Sequence, residues 1–222
     1  MKKTLFTVCL GLASLLAGAP NLLAQNDGRS TYWHQQQTLF EQLPTSPEDI
    51  IMLGNSITDG GEWAELLGNP HVKNRGISGD TTDGILQRLE TITKGKPDMI
   101  FLLIGINDFS QDVPVEKIIQ NIEQIILRIK AESPSTRLFV QSILPLNDRI
   151  PGFEGHKKHL SEIPGTNASI AALCEKHKTG YLDIYSLLVD SEGKMNAKYS
   201  NDGLHLLGPG YLVWSSVLKP LI

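Results

Sequence analysis

The sequence has little cysteine, few aromatic residues and almost no clustered positive charge. Its 222 residues include two cysteines, and only Cys174 lies outside the apolar N-terminal stretch, so a disulfide-stapled fold is excluded. The formal net charge is −4 and the one dense basic stretch is HKKH at 156–159, which makes nucleic acid or an anionic membrane surface a poor partner. The remainder is 41% hydrophobic and 20% charged, which is typical of a globular domain with an ordinary core.

The N-terminus has the pattern of an export signal. Lys2 and Lys3 precede an apolar stretch at 4–19, and Ala24 offers a cleavage position. We therefore predict a signal peptide over residues 1–24 and a periplasmic or extracellular protein with no stable membrane anchor after cleavage; the alternative is a retained N-terminal helix. Cleavage would leave a formal net charge of −6. The remaining cysteine, Cys174, falls at an apolar helical position and is predicted to pack in the core.

Strand and helix patterns alternate through the rest of the chain. Residues 25–47 form a polar lead-in with a short helix capped by Ser30 or Thr31, and residues 48–222 form one domain. Continuous apolar runs predict strands that are buried on both faces, and helical periods lie between them, most clearly at 114–130. We predict a single three-layer α/β/α domain with a parallel sheet of about five strands, at 50–53, 72–75, 99–104, 138–143 and 181–184.

Four polar clusters follow predicted strands or precede the last helix. Taken singly, each has a structural explanation, such as a helix cap, a tight turn or a surface Asx-turn. In a parallel sheet, however, the carboxyl ends of the strands meet at one edge, where ligands bind. The clusters are Gly54-Asn55-Ser56-Ile57-Thr58, the 74–80 segment NRGISGD, Gly105-Ile106-Asn107-Asp108, and Asp202-Gly203-Leu204-His205.

Together these clusters fit acyl transfer by a serine. Ser56 would be the nucleophile, His205 the base that takes its proton, and Asp202 the partner that fixes the imidazole tautomer. The tetrahedral oxyanion would be bound by the N–H groups of Ser56 and Gly79 and by the Asn107 amide, each donor lowering the barrier by about 3 kcal/mol.

The same residues carry a family resemblance. "GNSITDGG", "NRGISGDTT", "IGIND" and "DGLH" resemble the four ordered blocks of the SGNH hydrolases, also called GDSL-like esterases. The resemblance implies a flavodoxin-like fold and hydrolysis of acyl esters with no metal or other cofactor, with the five residues in the roles given above. One departure is Asn55, where the family usually has Asp. The compact first block looks most like the carbohydrate O-acetylesterases and the platelet-activating-factor acetylhydrolase-like members.

Several further polar residues have weaker signals. Asn74 and Asn147 are candidate substrate contacts, although Asn74 is equally explained as a strand-end cap and Asn147, like Asp108, as a surface turn. Asp80 is predicted to cap the following helix. His156 and His159 are interpreted as solvated, because no acidic or cysteine partner completes a metal site. The segment 147–166 is predicted to be irregular and is interpreted as a lid, a specificity loop or a surface excursion.

The expected function is hydrolysis of short acyl esters, acetyl foremost, on a small-molecule or glycan substrate. The alternatives are a lysophospholipase or thioesterase of the same family, and a carbohydrate-binding protein on a degenerate hydrolase fold, for which Asn55 is the one hint. The sequence leaves the oligomeric state open.

Overall fold

Five short parallel strands form a single sheet in the computed structural model, which describes residues 27–222. Their order in the sheet is β2-β1-β3-β4-β5, and the predicted parallel α/β architecture is confirmed. The predicted signal peptide, residues 1–24, lies outside the described residues. The strands are β1 (Ile50–Gly54), β2 (Val72–Gly76), β3 (Met99–Leu103), β4 (Arg137–Gln141) and β5 (Gly180–Leu182).

Helices connect the strands and cover the sheet. Every residue of β1 and β3 is buried, so both faces of the sheet are packed, as their unbroken apolar sequences predict. The helices are α1 (Thr31–Gln42), α2 (Ser56–Asp59), α3 (Trp63–Leu67), α4 (Thr82–Arg88), α5 (Glu90–Thr93), α6 (Ile106–Ser110), α7 (Val115–Glu132), α8 (Glu154–Lys157), α9 (Ile163–Lys176), α10 (Tyr185–Leu188) and α11 (Gly208–Leu218), with 3₁₀ turns at Leu160–Glu162 and Lys219–Leu221.

The apolar side chains of helix α7 pack into the core, as their spacing in the sequence predicts. Its isoleucines recur at intervals of three and four, and five of them are fully buried against the rest of the core. Burial of an isoleucine side chain stabilises the fold by about 1.5–3 kcal/mol. Cys174 is buried as predicted. Within residues 27–222, no helix combines the length and the apolar character that a membrane crossing requires.

The prediction that the whole segment 147–166 is irregular is wrong: residues 147–153 are irregular, but helical structure begins at Glu154. The segment contains α8, a 3₁₀ turn and the first residues of α9. Pro164 and Gly165 signalled a loop, but Pro164 occupies the first turn of α9, where a backbone N–H has no helical partner to lose. Four further short helices, α2, α5, α6 and α10, were also not predicted, because a helix of four or five residues is little more than one turn and barely shows a helical period.

The lead-in helix α1 packs onto the loop that follows β2. Ser30 caps the helix by accepting a hydrogen bond from the Trp33 N–H at 3.0 Å, as predicted. Trp33 and Phe40 are buried against Ile77. The Trp33 indole N–H also donates to Asp80 Oδ1 at 2.9 Å, so the lead-in is joined to the sheet through a buried carboxylate.

Asp80 and Arg88 form a fully buried ion pair at the carboxyl edge of the sheet. Arg88 Nε lies 2.7 Å from Asp80 Oδ2, and neither side chain has solvent exposure. Arg88 Nη2 donates to the carbonyls of Gly54 (3.0 Å) and Arg75 (2.9 Å), which end β1 and precede the end of β2. The predicted role of Asp80 as a helix cap is wrong: Thr81 caps α4, and Asp80 anchors Arg88.

We expect Arg88→Met to lower the free energy of unfolding by about 3 kcal/mol, because the buried Asp80 carboxylate loses its hydrogen-bonded counter-ion and keeps only Arg29, at 3.9 Å. Chemical denaturation followed by circular dichroism measures this loss. The matched control is Arg149→Met, which removes a solvent-exposed pair with Glu192 and should change the stability little, because water screens the pair. Equal losses of unfolding free energy in the two variants would show that the buried ion pair matters no more for stability than the exposed one.

Candidate active site

Ser56 is the first residue of α2, directly after β1. Asn55 caps this helix, with its side-chain oxygen accepting a hydrogen bond from the Ile57 N–H at 3.0 Å. The serine is therefore held at a sharp strand-to-helix turn rather than on a flexible loop. Its Oγ lies 2.9 Å from His205 Nε2, across 149 residues of sequence. The structure thus brings the predicted nucleophile within hydrogen-bond distance of the predicted base.

Asp202 fixes the orientation of His205. Its Oδ2 lies 2.8 Å from His205 Nδ1, and its Oδ1 accepts hydrogen bonds from the Leu204 and His205 N–H groups, both at 2.8 Å. Burial alone would raise the pKa of Asp202, but these hydrogen bonds together lower it below its ordinary value. An ionised Asp202 requires a proton on Nδ1, which leaves Nε2 free to accept from the Ser56 hydroxyl.

The predicted oxyanion donors line the same cleft as Ser56 and His205. This cleft has a volume of about 430 Å³. Gly79 lies in the loop after β2 and adopts φ +82°, a left-handed conformation that favours glycine. Asn107 Nδ2 donates one N–H to the Asp80 carbonyl at 2.8 Å, and the second N–H of the amide remains for a ligand in the cleft.

His156 is a site residue that the sequence interpretation missed. It was expected to be solvated, but it is half-buried, lines the cleft, and places Nε2 3.0 Å from Asn107 Oδ1. The Asp80 carbonyl can only accept, so Asn107 must turn Nδ2 toward it and Oδ1 toward His156. It follows that His156 Nε2 carries a proton and donates. Burial and the nearby charge of His205 lower the pKa of His156, consistent with a neutral ring.

The sequence around His156 contains no signal of this position. The HKKH pattern is typical of a solvated basic stretch. Its position beside the cleft depends on the path that residues 147–166 follow along the edge of the sheet. Phe153, at φ +54°, stands next to the site with its ring centroid 4.9 Å from that of His205. Together, α8 and the residue before it therefore form one wall of the cleft.

The two candidate substrate contacts, Asn74 and Asn147, are not brought into the cleft. Asn74 Nδ2 lies 2.9–3.0 Å from the carbonyls of Thr58, Asp59 and Gly61, and so ties β2 to the end of α2. Asn147 is buried, and its Nδ2 donates to the Met195 carbonyl at 2.7 Å. Both amides are committed to the backbone.

Asp108 was expected in a surface turn, and that prediction is wrong. It is buried and accepts hydrogen bonds from the Thr82 N–H (3.0 Å) and the Thr82 hydroxyl (2.5 Å). Thr82 Oγ1 in turn accepts from Asn121 Nδ2 at 2.8 Å. Burial raises the pKa of Asp108 to about 6, against the opposing effect of the Thr82 hydrogen bonds. Among residues 27–222, no three or more His, Cys, Asp or Glu side chains group so as to hold a metal ion.

The site contains a serine, a histidine and an aspartate joined by hydrogen bonds. A glycine loop and an asparagine amide lie beside them at the carboxyl edge of a parallel sheet. This arrangement defines a serine-type acyl hydrolase. The sequence model of the GDSL-like lipase/acylhydrolase family matches residues 52–213. The chain belongs to this family, and it is an ester hydrolase. The predicted family is confirmed.

Individual relatives extend this likeness over most of the chain. A rat platelet-activating factor acetylhydrolase IB subunit alpha2 is 25% identical, over 92% of this chain and 88% of its own. A Streptococcus pneumonia protein, solved as a candidate platelet activating factor, is 30% identical with a TM-score of 0.78, over 86% of this chain and 92% of its own. An acetylxylan esterase from Geobacillus stearothermophilus shares the fold at 19% identity and a TM-score of 0.64, over 79% and 94%.

We expect His156→Phe to lower kcat for p-nitrophenyl acetate about tenfold with little change in KM, because the Asn107 amide loses the donor that holds its oxygen. His156→Gln retains an N–H donor and should recover part of the loss. The control is His159→Phe, three residues away, where the ring stacks on Phe109 and pairs with surface acids. A full rate in His156→Phe would refute the positioning role.

We expect Asp108→Asn to change the pH dependence of stability. The folded-state pKa of Asp108, about 6, lies above the ordinary 3.8, so the folded state binds the proton more tightly and wild-type stability gains as pH falls from 7 toward 4. The free energy of unfolding of the variant minus that of wild type should therefore be larger at pH 7 than at pH 5, by on the order of 1 kcal/mol. Urea denaturation at the two pH values measures this difference, with the exposed Asp183→Asn as control. A difference that is independent of pH would contradict the assignment.

Proposed function

We propose that this esterase removes short acyl groups, acetyl foremost, from carbohydrates, with Ser56, His205 and Asp202 as the catalytic residues. The composition of the cleft carries the proposal. Of its ten lining residues, two, Phe153 and Leu204, are apolar, and the others are glycine or polar. A long acyl chain gains about 0.8 kcal/mol for each CH₂ that it buries against apolar surface, and Phe153 and Leu204 are the two apolar side chains that this cleft offers it.

The chemistry follows from the geometry of the site. His205 Nε2 takes the proton of the Ser56 hydroxyl as Oγ attacks the ester carbonyl. The oxyanion is stabilised by the N–H groups of Ser56 and Gly79 and by the free N–H of Asn107, while Asp202 pairs with the imidazolium. Collapse releases the alcohol, which takes the proton from His205. Water then loses a proton to His205, attacks the acyl-serine, and frees the acid and Ser56.

Two relatives support an acetyl group. The mammalian relatives are named as acetylhydrolases of platelet-activating factor, and the Geobacillus neighbour as an esterase of acetylated xylan. The two names differ in the acetylated substrate, which is platelet-activating factor in one and xylan in the other. The seven polar side chains of the cleft favour the carbohydrate, and a lysophospholipase or thioesterase activity is the second candidate.

A carbohydrate-binding protein without catalysis is disfavoured by the site geometry. Asn55, the one residue that hinted at degeneration, still caps α2 and holds Ser56 at its turn. The Ser56–His205 and His205–Asp202 distances of 2.9 and 2.8 Å are those of hydrogen bonds, not of a dismantled site.

We expect kcat/KM to fall steadily from p-nitrophenyl acetate through the butyrate to the octanoate. Ser56→Ala should lower the rate on acetate by about 10⁴-fold or more, because attack by an enzyme nucleophile is lost. Ser216→Ala, an exposed serine on α11, is the matched control and should keep the full rate. A maximum at octanoate would favour the lipase alternative, and wild-type activity in Ser56→Ala would remove the proposed nucleophile.

A further inference from the structure

A second cavity, of about 550 Å³, adjoins the active-site cleft. The two share Ser78, Gly79 and Gln111 in their walls, so the loop that carries the oxyanion donor Gly79 separates them. The far side is formed by the lead-in residues 27–30 and by α7. Its volume lies within the range of ligand sites in proteins, about 300–1,000 Å³. A substrate bound at Ser56 that extends past Gln111 would enter this cavity.

The lining of the second cavity favours hydroxyl groups over hydrocarbon. Eleven of its fourteen lining residues have hydrogen-bonding side chains, including Trp33 with its indole N–H, and Val113 is the one aliphatic residue among them. Trp33 is itself buried, with the Arg29 guanidinium 4.6 Å above its ring. Nine of these eleven side chains already hydrogen-bond within the protein, whereas Gln111 and Lys117 have no partner among the described residues. An acyl chain placed here would desolvate these two groups without pairing them, which costs free energy. A sugar ring, with a donor and an acceptor on each hydroxyl, would pair with them.

The charges of the second cavity disfavour an anionic ligand. Three of its lining residues are aspartates, Asp27, Asp83 and Asp108, against two cations, Arg29 and Lys117. Arg29 is already engaged, with Nη2 2.7 Å from Asp83 Oδ2 and Nε 3.0 Å from Gln87 Oε1. A phosphate headgroup would therefore meet more carboxylate than free cationic charge.

We propose that the second cavity binds a neutral sugar residue next to the acetylated one, so that the preferred substrate is an acetylated oligosaccharide. This inference rests on the proposed function. Because an acetyl group fits the cleft beside Ser56, the alcohol is the part of the ester long enough to reach both cavities. Gln111, which is exposed and lies in both walls, contacts the sugar, and Lys117 on α7 donates from the far side.

The test compares kcat/KM for acetylated xylotriose with kcat/KM for p-nitrophenyl acetate, whose alcohol is too short to span both cavities. Wild type should prefer the trisaccharide, and Gln111→Ala and Lys117→Ala should each lower this preference about three- to tenfold, the value of one hydrogen bond. The matched control is Gln120→Ala, an exposed glutamine on α7 outside both cavities, which should keep the wild-type preference.

The failures can be told apart. If wild type cleaves both acetates and neither variant changes the preference, the sugar site is wrong while the esterase proposal stands. If wild type cleaves neither, both proposals fail. A third probe, an acetylated glycerophosphocholine, separates the ligand classes: variants that lose activity on this probe and not on the trisaccharide would assign the cavity to a phosphate headgroup and overturn the inference.

Discussion

The buried ion pair between Asp80 and Arg88 is the contact on which the site depends. Arg88 holds the carbonyl of Gly54, one residue before the Asn55 cap, and so fixes the turn that presents Ser56. The backbone carbonyl of Asp80 sets the orientation of the Asn107 amide, and its side chain takes the indole N–H of Trp33. One buried carboxylate residue thus links the nucleophile turn, the oxyanion amide and the lead-in helix. Such a pair adds little net stability over apolar packing, but losing one partner is costly, so it imposes a single arrangement.

Close approach at the strand ends is the second constraint. A Cβ on Gly54 would lie 2.5 Å from the Leu103 carbonyl and 2.2 Å from Thr58 Oγ1, so only glycine allows α2 to fold back at the end of β1. Asn74 then fastens the end of α2 to β2. His205, by contrast, comes from a turn far along the chain, and its ring is held by Asp202 on one side and contacted by Phe153 on the other. The nucleophile is therefore positioned by the sheet, and the base by local hydrogen bonds.

The sequence was sufficient for the strands, the long helices and the Ser56, His205 and Asp202 set, because each depends on a local pattern or on an ordered motif. It was insufficient for His156, Asp108 and the Asp80–Arg88 pair. Charged and polar residues have the same appearance in a sequence whether they are solvated or buried, and only long-range packing decides between the two. The prediction for residues 147–166 was wrong for a related reason. Pro and Gly predict a loop, yet a proline is equally suited to the first turn of a helix.

Asn55 is best explained by its burial. The residue is fully buried, and its Nδ2 has no hydrogen-bond partner among the described residues, so the amide already loses about 1–3 kcal/mol of hydration. A carboxylate in the same fully buried place would keep the cap to Ile57 but would bury a full negative charge, which has a greater desolvation cost than the neutral amide. The neutral amide preserves the geometry that Ser56 needs and avoids that cost. The departure from the family pattern therefore changes the charge beside the nucleophile while leaving the position of the nucleophile intact.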